Sequence, residues 1–465
     1  MEVKIIETIP IRPSQHPFSQ DHSLPLSRLD TDPNLDVTIR YVRVYVNNTS
    51  TTTTKPTTAK THPFDVIADA LSRALVHYYP LAAGLRSRNG RLEVFCSRDQ
   101  LGLPLTNATV SATLASVNYL DEPGSEFTDR LAPNPSPDER LVHPFMLQVT
   151  TFECGGFALG AAVNHALCDG MGATMFFNAA AELARGADKI SVEPVWDREG
   201  VFRPRDPPRV EEWVGEVLGR KEGMVGPGGD GDGVAGGKVV RSYCFDVRDE
   251  WVEGFKNALV QKCGSKFTTF EALGAFIWRA KVKASGISAH EFVKFVYAIN
   301  VRKLVKPPLP AGYWGNGCVP MCVQLQAKDL LEQPIWRTAE LIKQSKRHVA
   351  APDGYVSSFI DFIELHGGEI VTAASSCRVT SGFTDWRHLG QMGVDFGWGN
   401  PVTVLPLSTR RLLGSDEPCF FLPHSSVGEG KGDGGFKVLV LLSEAAMPGF
   451  KLEIDKFCSQ EFGQL

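Results

Sequence analysis

The stretch "HPFMLQVTTFECGGFALGAAVNHALCDG", residues 143–170, holds two apolar runs parted by Cys154-Gly155-Gly156. That pattern predicts two strands joined at a glycine turn. His165 then stands where the second strand ends. Directly after it, Ala173, Phe176, Phe177, Ala180 and Leu183 recur at helical spacing. His165 and Asp169 therefore fall in a strand–loop–helix junction, where a rigid scaffold commonly displays functional groups. Taken alone, His165 reads as a general base, which needs an imidazole open to substrate, as a metal ligand, or as a satisfied core histidine. A metal needs further ligands grouped nearby, and none is. Asp169 suits orienting the histidine, but equally capping the helix that follows or pairing with a distant arginine.

Outward from this junction, "VTIRYVRVYV" (residues 37–46) predicts a buried strand, and "NNTSTTTTKPTTAK" (47–60) a polar low-complexity loop. A helix is expected from Pro63 to Tyr79, with Pro63 and Asp65 in its first turn, followed by a strand at "GRLEVFCS". Residues 190 to about 238 change character: "EPVWDREGVFRPRDPPRV" is proline-rich and charged, and "GMVGPGGDGDGVAGGK" is nearly all glycine and aspartate. Such composition predicts a long surface crossover, flexible in its second part. Beyond it, strands at "VVRSYCFDV" and "KFVYAINV" alternate with helices over 270–283 and 335–346, and "GFKVLVLLSEAAMPGFKLEID" predicts a strand and then a helix. The expected organisation is a mixed α/β N-terminal domain over 1–190, a crossover over 191–238, and a C-terminal domain over 239–465.

Composition narrows the function classes. The 465 residues are 43% hydrophobic and 22% charged, with a net charge of −5 and no long Lys/Arg run. That argues against nucleic acid as a partner. The opening "MEVKIIETIP" lacks the basic-then-apolar order of a signal peptide, and no apolar run reaches membrane-spanning length. Of the ten cysteines only Cys318 and Cys322 are close, at a spacing without a second pair or a nearby histidine, so zinc is not expected. A reduced cytoplasmic protein is expected. "GPGGDG" (226–231) matches G-x-G-x-x-G but neither follows a strand nor leads into a helix, so it fails as a dinucleotide loop. "GMGATM" after His165 has Met175 where the third glycine belongs. Neither a P-loop nor a G-x-S-x-G elbow occurs.

A second constellation, "DFGWG" at Asp395–Gly399, sets two glycines around a tryptophan, an entropically costly choice for an ordinary loop. With "HALCDG" and "DFGWG" at this wide separation, the chain resembles the BAHD acyltransferases, a plant family that transfers acyl groups from coenzyme A thioesters. "YYPLAAGLR", "KPPLPAGYWGN" and "FTTFEALGAFIWRAK" also look like segments of that family, so the resemblance runs over essentially the whole chain.

The resemblance implies two similar mixed-sheet α/β domains, like chloramphenicol acetyltransferase, with a channel between them. It makes His165 the general base. It turns Asp169 of the Asp169-Gly170 pair away from the histidine and toward an arginine, which by position in "NVRKLVKPPLP" is Arg302. Asp395, Gly397 and Gly399 become shapers of the fold away from the reacting centre. Counting back nine residues from Asp395 gives Trp386, whose indole N–H would face the oxyanion. The family's T-S-W segment is here Thr384-Asp385-Trp386, a departure in the acceptor pocket: Asp385 would suit a cationic amine, pair with Arg387, or simply face solvent. Thr268 and Glu271 fit a capping box on their own, and the resemblance adds that Lys266, Thr268 and Thr269 approach the coenzyme A phosphates.

"VHYYPLAAGL", "QVTTFECGGF" and "FTDWRHLG" look most like the branch holding spermidine hydroxycinnamoyl transferases and taxane and benzoyl transferases. The expected reaction is transfer of an aromatic acyl group from coenzyme A to an amine or hydroxyl of a plant metabolite, in a ternary complex without a covalent intermediate. The alternatives are acetyl transfer to an alcohol of a terpenoid or alkaloid, a thioester hydrolase, and a catalytically silent ligand-binding protein on the same scaffold. The expected partners are an acyl-coenzyme A co-substrate and a small acceptor, with no permanent cofactor, no metal and no membrane, acting on a monomer.

Overall fold

The structure is a computed structural model that describes residues 1–47, 62–88, 91–198, 200–218, 239–347, 349, 354–366, 379–407, 412–427 and 434–460. The expected hairpin is present. Strands Phe145–Phe152 and Phe157–Asn164 pair antiparallel, and Gly155 makes the turn at φ +79°, a conformation that costs glycine least. They lie at the centre of a six-stranded sheet in the order Val3–Ile11, Leu103–Val110, Phe145–Phe152, Phe157–Asn164, Thr38–Tyr45, Thr403–Leu407. A second six-stranded sheet runs Cys318–Gln326, Phe292–Asn300, Val379–Asp385, Cys419–Pro423, Phe436–Ser443, Val240–Val247. Both mix parallel and antiparallel neighbours, as a mixed α/β architecture requires. His22–Pro25, Arg91–Cys96 and Gly84–Arg88 form a small third sheet.

Each large sheet has its own apolar core. Helix Gly170–Ala184 sends Phe176, Phe177, Ala180 and Leu183 into the first, packing beside helix Pro63–Ala74. Helix Thr269–Ala284 buries Leu273, Ile277 and Trp278 in the second. The helices expected over 270–283 and 335–346 are present as Thr269–Ala284 and Ile335–Arg347. Helices Asp249–Cys263 and Tyr355–His366 were not expected from the sequence.

The structure departs from the sequence reading in three places. The helix from Pro63 ends at Ala74 rather than Tyr79, and a 3-10 turn, Tyr79–Ala82, follows. Tyr78 leaves helical geometry, at φ −109° and ψ 34°, between the two. Strand Thr403–Leu407 leaves the second half and joins the first sheet, pairing antiparallel with Thr38–Tyr45; all five of its residues are buried there. The proline-rich part of the crossover runs largely over the surface but is anchored to the body: Pro194, Arg198 and Phe202 are buried, and Val195 bridges to Tyr313. The expected flexible stretch "GMVGPGGDGDGVAGGK", with its "GPGGDG", lies outside the described residues, as does the low-complexity loop from residue 48 on. Among the described residues no helix is long and apolar enough to cross a membrane.

Candidate active site

The loop after Phe157–Asn164 is shaped by its own last residue: Asn164 Oδ1 accepts from the Ala166 N–H at 3.0 Å, and Asn164 O from the Leu167 N–H at 3.0 Å. The His165 backbone is held at both ends. Its N–H donates to Val37 O at 2.8 Å, and its carbonyl accepts from Asn316 Nδ2 at 2.8 Å. With the backbone fixed, the half-buried imidazole borders a cavity of about 920 Å³ lined by elements of both sheets. Its Nδ1 is buried and has no hydrogen-bond partner among the described residues.

Asp169 does not touch the imidazole. It caps helix Gly170–Ala184, with Oδ1 accepting from the Gly172 N–H at 3.0 Å. Its other bonds run to the second half of the chain. Arg302 grips it with both guanidinium nitrogens, Nη1 to Oδ2 at 2.8 Å and Nη2 to Oδ1 at 2.9 Å, and the Gly317 N–H donates to Oδ2 at 3.0 Å. Burial would raise this carboxyl's pKa, but Arg302 and the N–H donors outweigh it and hold the group below the ordinary aspartate value. A Cβ on Gly172 would lie 1.9 Å from Trp314 O, so glycine there lets the helix start press against the second half's backbone. Capping and arginine pairing, both open from the sequence, are met by one carboxylate, and the partner is Arg302.

Trp386 lines the same cavity. Its indole is held edge-on between Tyr41 (5.9 Å, 82°) and Phe420 (5.5 Å, 86°), and its N–H backbone group donates to Phe421 O at 2.8 Å. Thr384 and Asp385 also line the cavity. Asp385 is taken by Arg387, with Nε to Oδ1 at 2.9 Å and Nη2 to Oδ2 at 2.6 Å, so of the roles open to it the pairing with Arg387 is the one the geometry favours.

Asp395 does not line the cavity. Its Oδ1 accepts from the Gly397 and Gly399 N–H groups at 2.7 and 2.8 Å, curling the loop on itself, and both glycines take positive φ, +106° and +85°. The loop is pinned to the first sheet: Trp398 meets Phe157 edge-on at 5.3 Å, and Tyr45 Oη donates to Val394 O at 3.0 Å. Gly170 lines the cavity against Leu389.

Thr268 and Thr269 line the cavity, and Thr268 is exposed, which marks an opening. The capping box forms, with Thr268 N–H donating to Glu271 Oε2 at 2.8 Å. Lys266 is exposed and outside the lining; the lysine in the lining is Lys346, on helix Ile335–Arg347, bonded to Glu271 Oε1 at 2.9 Å.

Several site residues carry no local signal. Asn316, which holds the His165 carbonyl, is itself held by Asp30, whose Oδ1 accepts from Asn316 N and Nδ2 at 2.9 and 2.8 Å. Arg198 stacks on Trp314 at 3.8 Å and donates to Leu167 O at 2.6 Å, bracing the histidine loop from the crossover. Asp32 lines the cavity from the loop before strand Thr38–Tyr45. The sequence reading singled out the segment "KPPLPAGYWGN", which ends at Asn316, without giving that residue a role, and nothing in their own neighbourhoods marked the others. Among the described residues no cluster of three or more potential metal ligands exists.

Two mixed sheets with a cavity between them, bordered by a strand-end histidine, form a two-domain, chloramphenicol-acetyltransferase-like architecture. The chain belongs to the Transferase family, whose model matches residues 1–457, in agreement with the resemblance to the BAHD acyltransferases. It is 32% identical to the spermidine coumaroyl-CoA acyltransferase of Arabidopsis thaliana, over 100% of this chain and 97% of that protein. It is likewise 32% identical to the taxadien-5-alpha-ol O-acetyltransferase of Taxus cuspidata, over 98% of this chain and 97% of that one. Among solved structures, F. graminearum TRI101 complexed with coenzyme A and deoxynivalenol has the same fold, with a TM-score of 0.76, 16% identity, and coverage of 94% of this chain and 98% of that one.

Proposed function

We propose that the protein transfers an acyl group, aromatic by preference, from a coenzyme A thioester to an amine or hydroxyl of a small plant metabolite. The observation that carries this is His165, on a fixed backbone, lining a cavity it shares with Trp386 from the opposite half. In this reading residues 1–190, with strand Thr403–Leu407 added, form one wall and the rest of 239–465 the other, with 191–238 crossing between them. The donor enters past Thr268 and Thr269, with Lys266 outside the opening and Lys346 within it. The acceptor is received near Thr384 and Asp385.

His165 takes the proton of the attacking N–H or O–H as the new bond forms to the thioester carbonyl carbon. The Trp386 indole N–H donates to the oxyanion, a contact whose loss in other acyl-transferring sites costs roughly 10²–10³ in rate. When the C–S bond breaks, the imidazolium returns its proton to the departing thiolate. The protein ends unchanged, and no covalent intermediate is needed. Asp169, Gly170, Arg302, Asp395, Gly397 and Gly399 hold the frame. Every group named comes from one chain, so a monomer suffices, and cysteines that are free among the described residues suit a reducing cytoplasm.

The test is thiol release from a panel of acyl-coenzyme A donors with polyamines and alcohols, on wild type and His165→Ala, with products identified by mass spectrometry. Acceptor-dependent release should fall by about 10²–10⁴ in the variant, the range of a lost general base. Release that ignores the acceptor would mean hydrolysis. Turnover surviving in His165→Ala would remove the histidine from its role.

A further inference from the structure

The charges around the cavity are matched with one exception. Its lining holds three carboxylates, Asp32, Asp169 and Asp385, and two permanent cations, Lys346 and Arg387. Asp169 is gripped by Arg302 and Asp385 by Arg387, while Lys346 is bonded to Glu271. Asp32 is only 8% exposed, and no basic side chain among the described residues pairs with it. Its Oδ1 accepts from the N–H and the Nδ2 of Asn34, both at 2.9 Å, which fixes the carboxyl's direction without neutralising it. His165, on the same lining, favours the charged form of Asp32 only while the imidazole itself carries a proton.

A buried carboxylate without a counter-ion is costly and is offset by a proton or by an incoming cation. A small acceptor carrying an ammonium supplies that cation, and the shielded site strengthens the attraction. We propose that Asp32 is the residue that selects an amine acceptor: its carboxylate holds one protonated nitrogen of a diamine or polyamine while a second, unprotonated nitrogen of the same molecule faces His165. The inference rests on the acyl-transfer reading. The facing nitrogen forms the C–N bond, its proton passes through His165 to the sulfur as the C–S bond breaks, and the nitrogen on Asp32 keeps its charge throughout. Asp385, the acid that the sequence offers for this task, is already occupied by Arg387.

The experiment uses the full chain with a fixed aromatic acyl-coenzyme A and three acceptors of one length, 1,4-diaminobutane, 4-aminobutan-1-ol and butane-1,4-diol, together with spermidine. Wild type should prefer the amines. Asp32→Asn should raise KM for spermidine about tenfold or more, as expected when a buried charge loses its partner, with kcat and the donor KM little changed and the diol unaffected. Asp32→Glu should recover part of the loss. Calorimetric binding of spermidine to the coenzyme A-loaded protein gives a readout that needs no turnover, and Asp32→Asn should weaken it to the same degree. Equal losses of kcat for diol and amine would overturn the proposal and make Asp32 a support for the imidazolium. Wild type that takes alcohols but does not bind spermidine would overturn it while leaving acyl transfer standing. Asp32-dependent spermidine binding without thiol release from any donor would uphold the amine site and reject acyl transfer.

Discussion

Asp169 and Asp32 border the same cavity and are both buried, yet they are kept in opposite ways. Asp169 has a bidentate guanidinium and two backbone N–H donors, which hold its pKa below the ordinary value. Asp32 has burial as the largest influence, and its carboxyl is pushed up. A carboxylate matched so completely is part of the frame: it fastens the start of helix Gly170–Ala184 to Arg302 and Gly317, across the join between the two halves. A carboxylate left unmatched in a protein's interior has a use for an outside partner. Asp395 is a third case: its side chain accepts hydrogen bonds from its own loop and stands outside the cavity lining.

Asp169→Ala should give the largest stability loss of the three. It strands Arg302 in the interior, and breaking one side of a buried pair costs about 3–5 kcal/mol. Calorimetric unfolding of the variant should show it, and a drop no larger than that of a surface aspartate would erase the distinction between framework and cavity acid.

The two acids should also slope oppositely with pH. Asp169 is depressed, so its stabilisation is present above the unfolded aspartate pKa of about 3.9 and disappears as pH falls through the lower folded value. Asp32 is raised, so its favourable contribution is present below that unfolded pKa and is lost as pH rises through the folded value. Unfolding midpoints measured from acid to neutral pH should therefore rise for Asp32→Asn relative to wild type as pH increases, and fall for Asp169→Asn. Slopes of the same sign would contradict the contrast drawn between them.

Asp395→Ala should have the smallest effect, about 0.5–2 kcal/mol, the scale of a lost cap on two backbone donors. Its KM values for donor and acceptor should be unchanged at a temperature where the variant is fully folded. A selective rise in either would place the D-F-G-W-G loop nearer the chemistry than its distance from the cavity lining implies.

What could be read from the sequence was local. The hairpin and helix around His165 follow from apolar periods of two and of three to four residues, and the cap at Asp169 follows from its place before the helix. The capping box at Thr268 and Glu271 is local in the same way. Trp386 emerged only by counting back from a second motif. Lys266 was legible because it is near Thr268 in the chain, but the lysine brought into the cavity is Lys346, from a helix that meets Glu271 only in three dimensions. Arg198 was hidden because a proline-rich, charged composition looks like a linker, whereas stacking on Trp314 and bonding to Leu167 bury it.

By itself the sequence determined the elements around the site and the positions of the histidine and its helix-capping aspartate, while the architecture was implied by the family resemblance of two widely separated motifs. The elements and the cap depend on residue order alone, since side-chain period and backbone preference act within a few neighbours. Only the tertiary structure decided which charges are matched. Pairing depends on distance, and distance between residues far apart in sequence is set by how the sheets pack. Arg302 reaches Asp169 and Arg387 turns back on Asp385, and Asp32 is left facing the cavity with no cation of its own among the described residues.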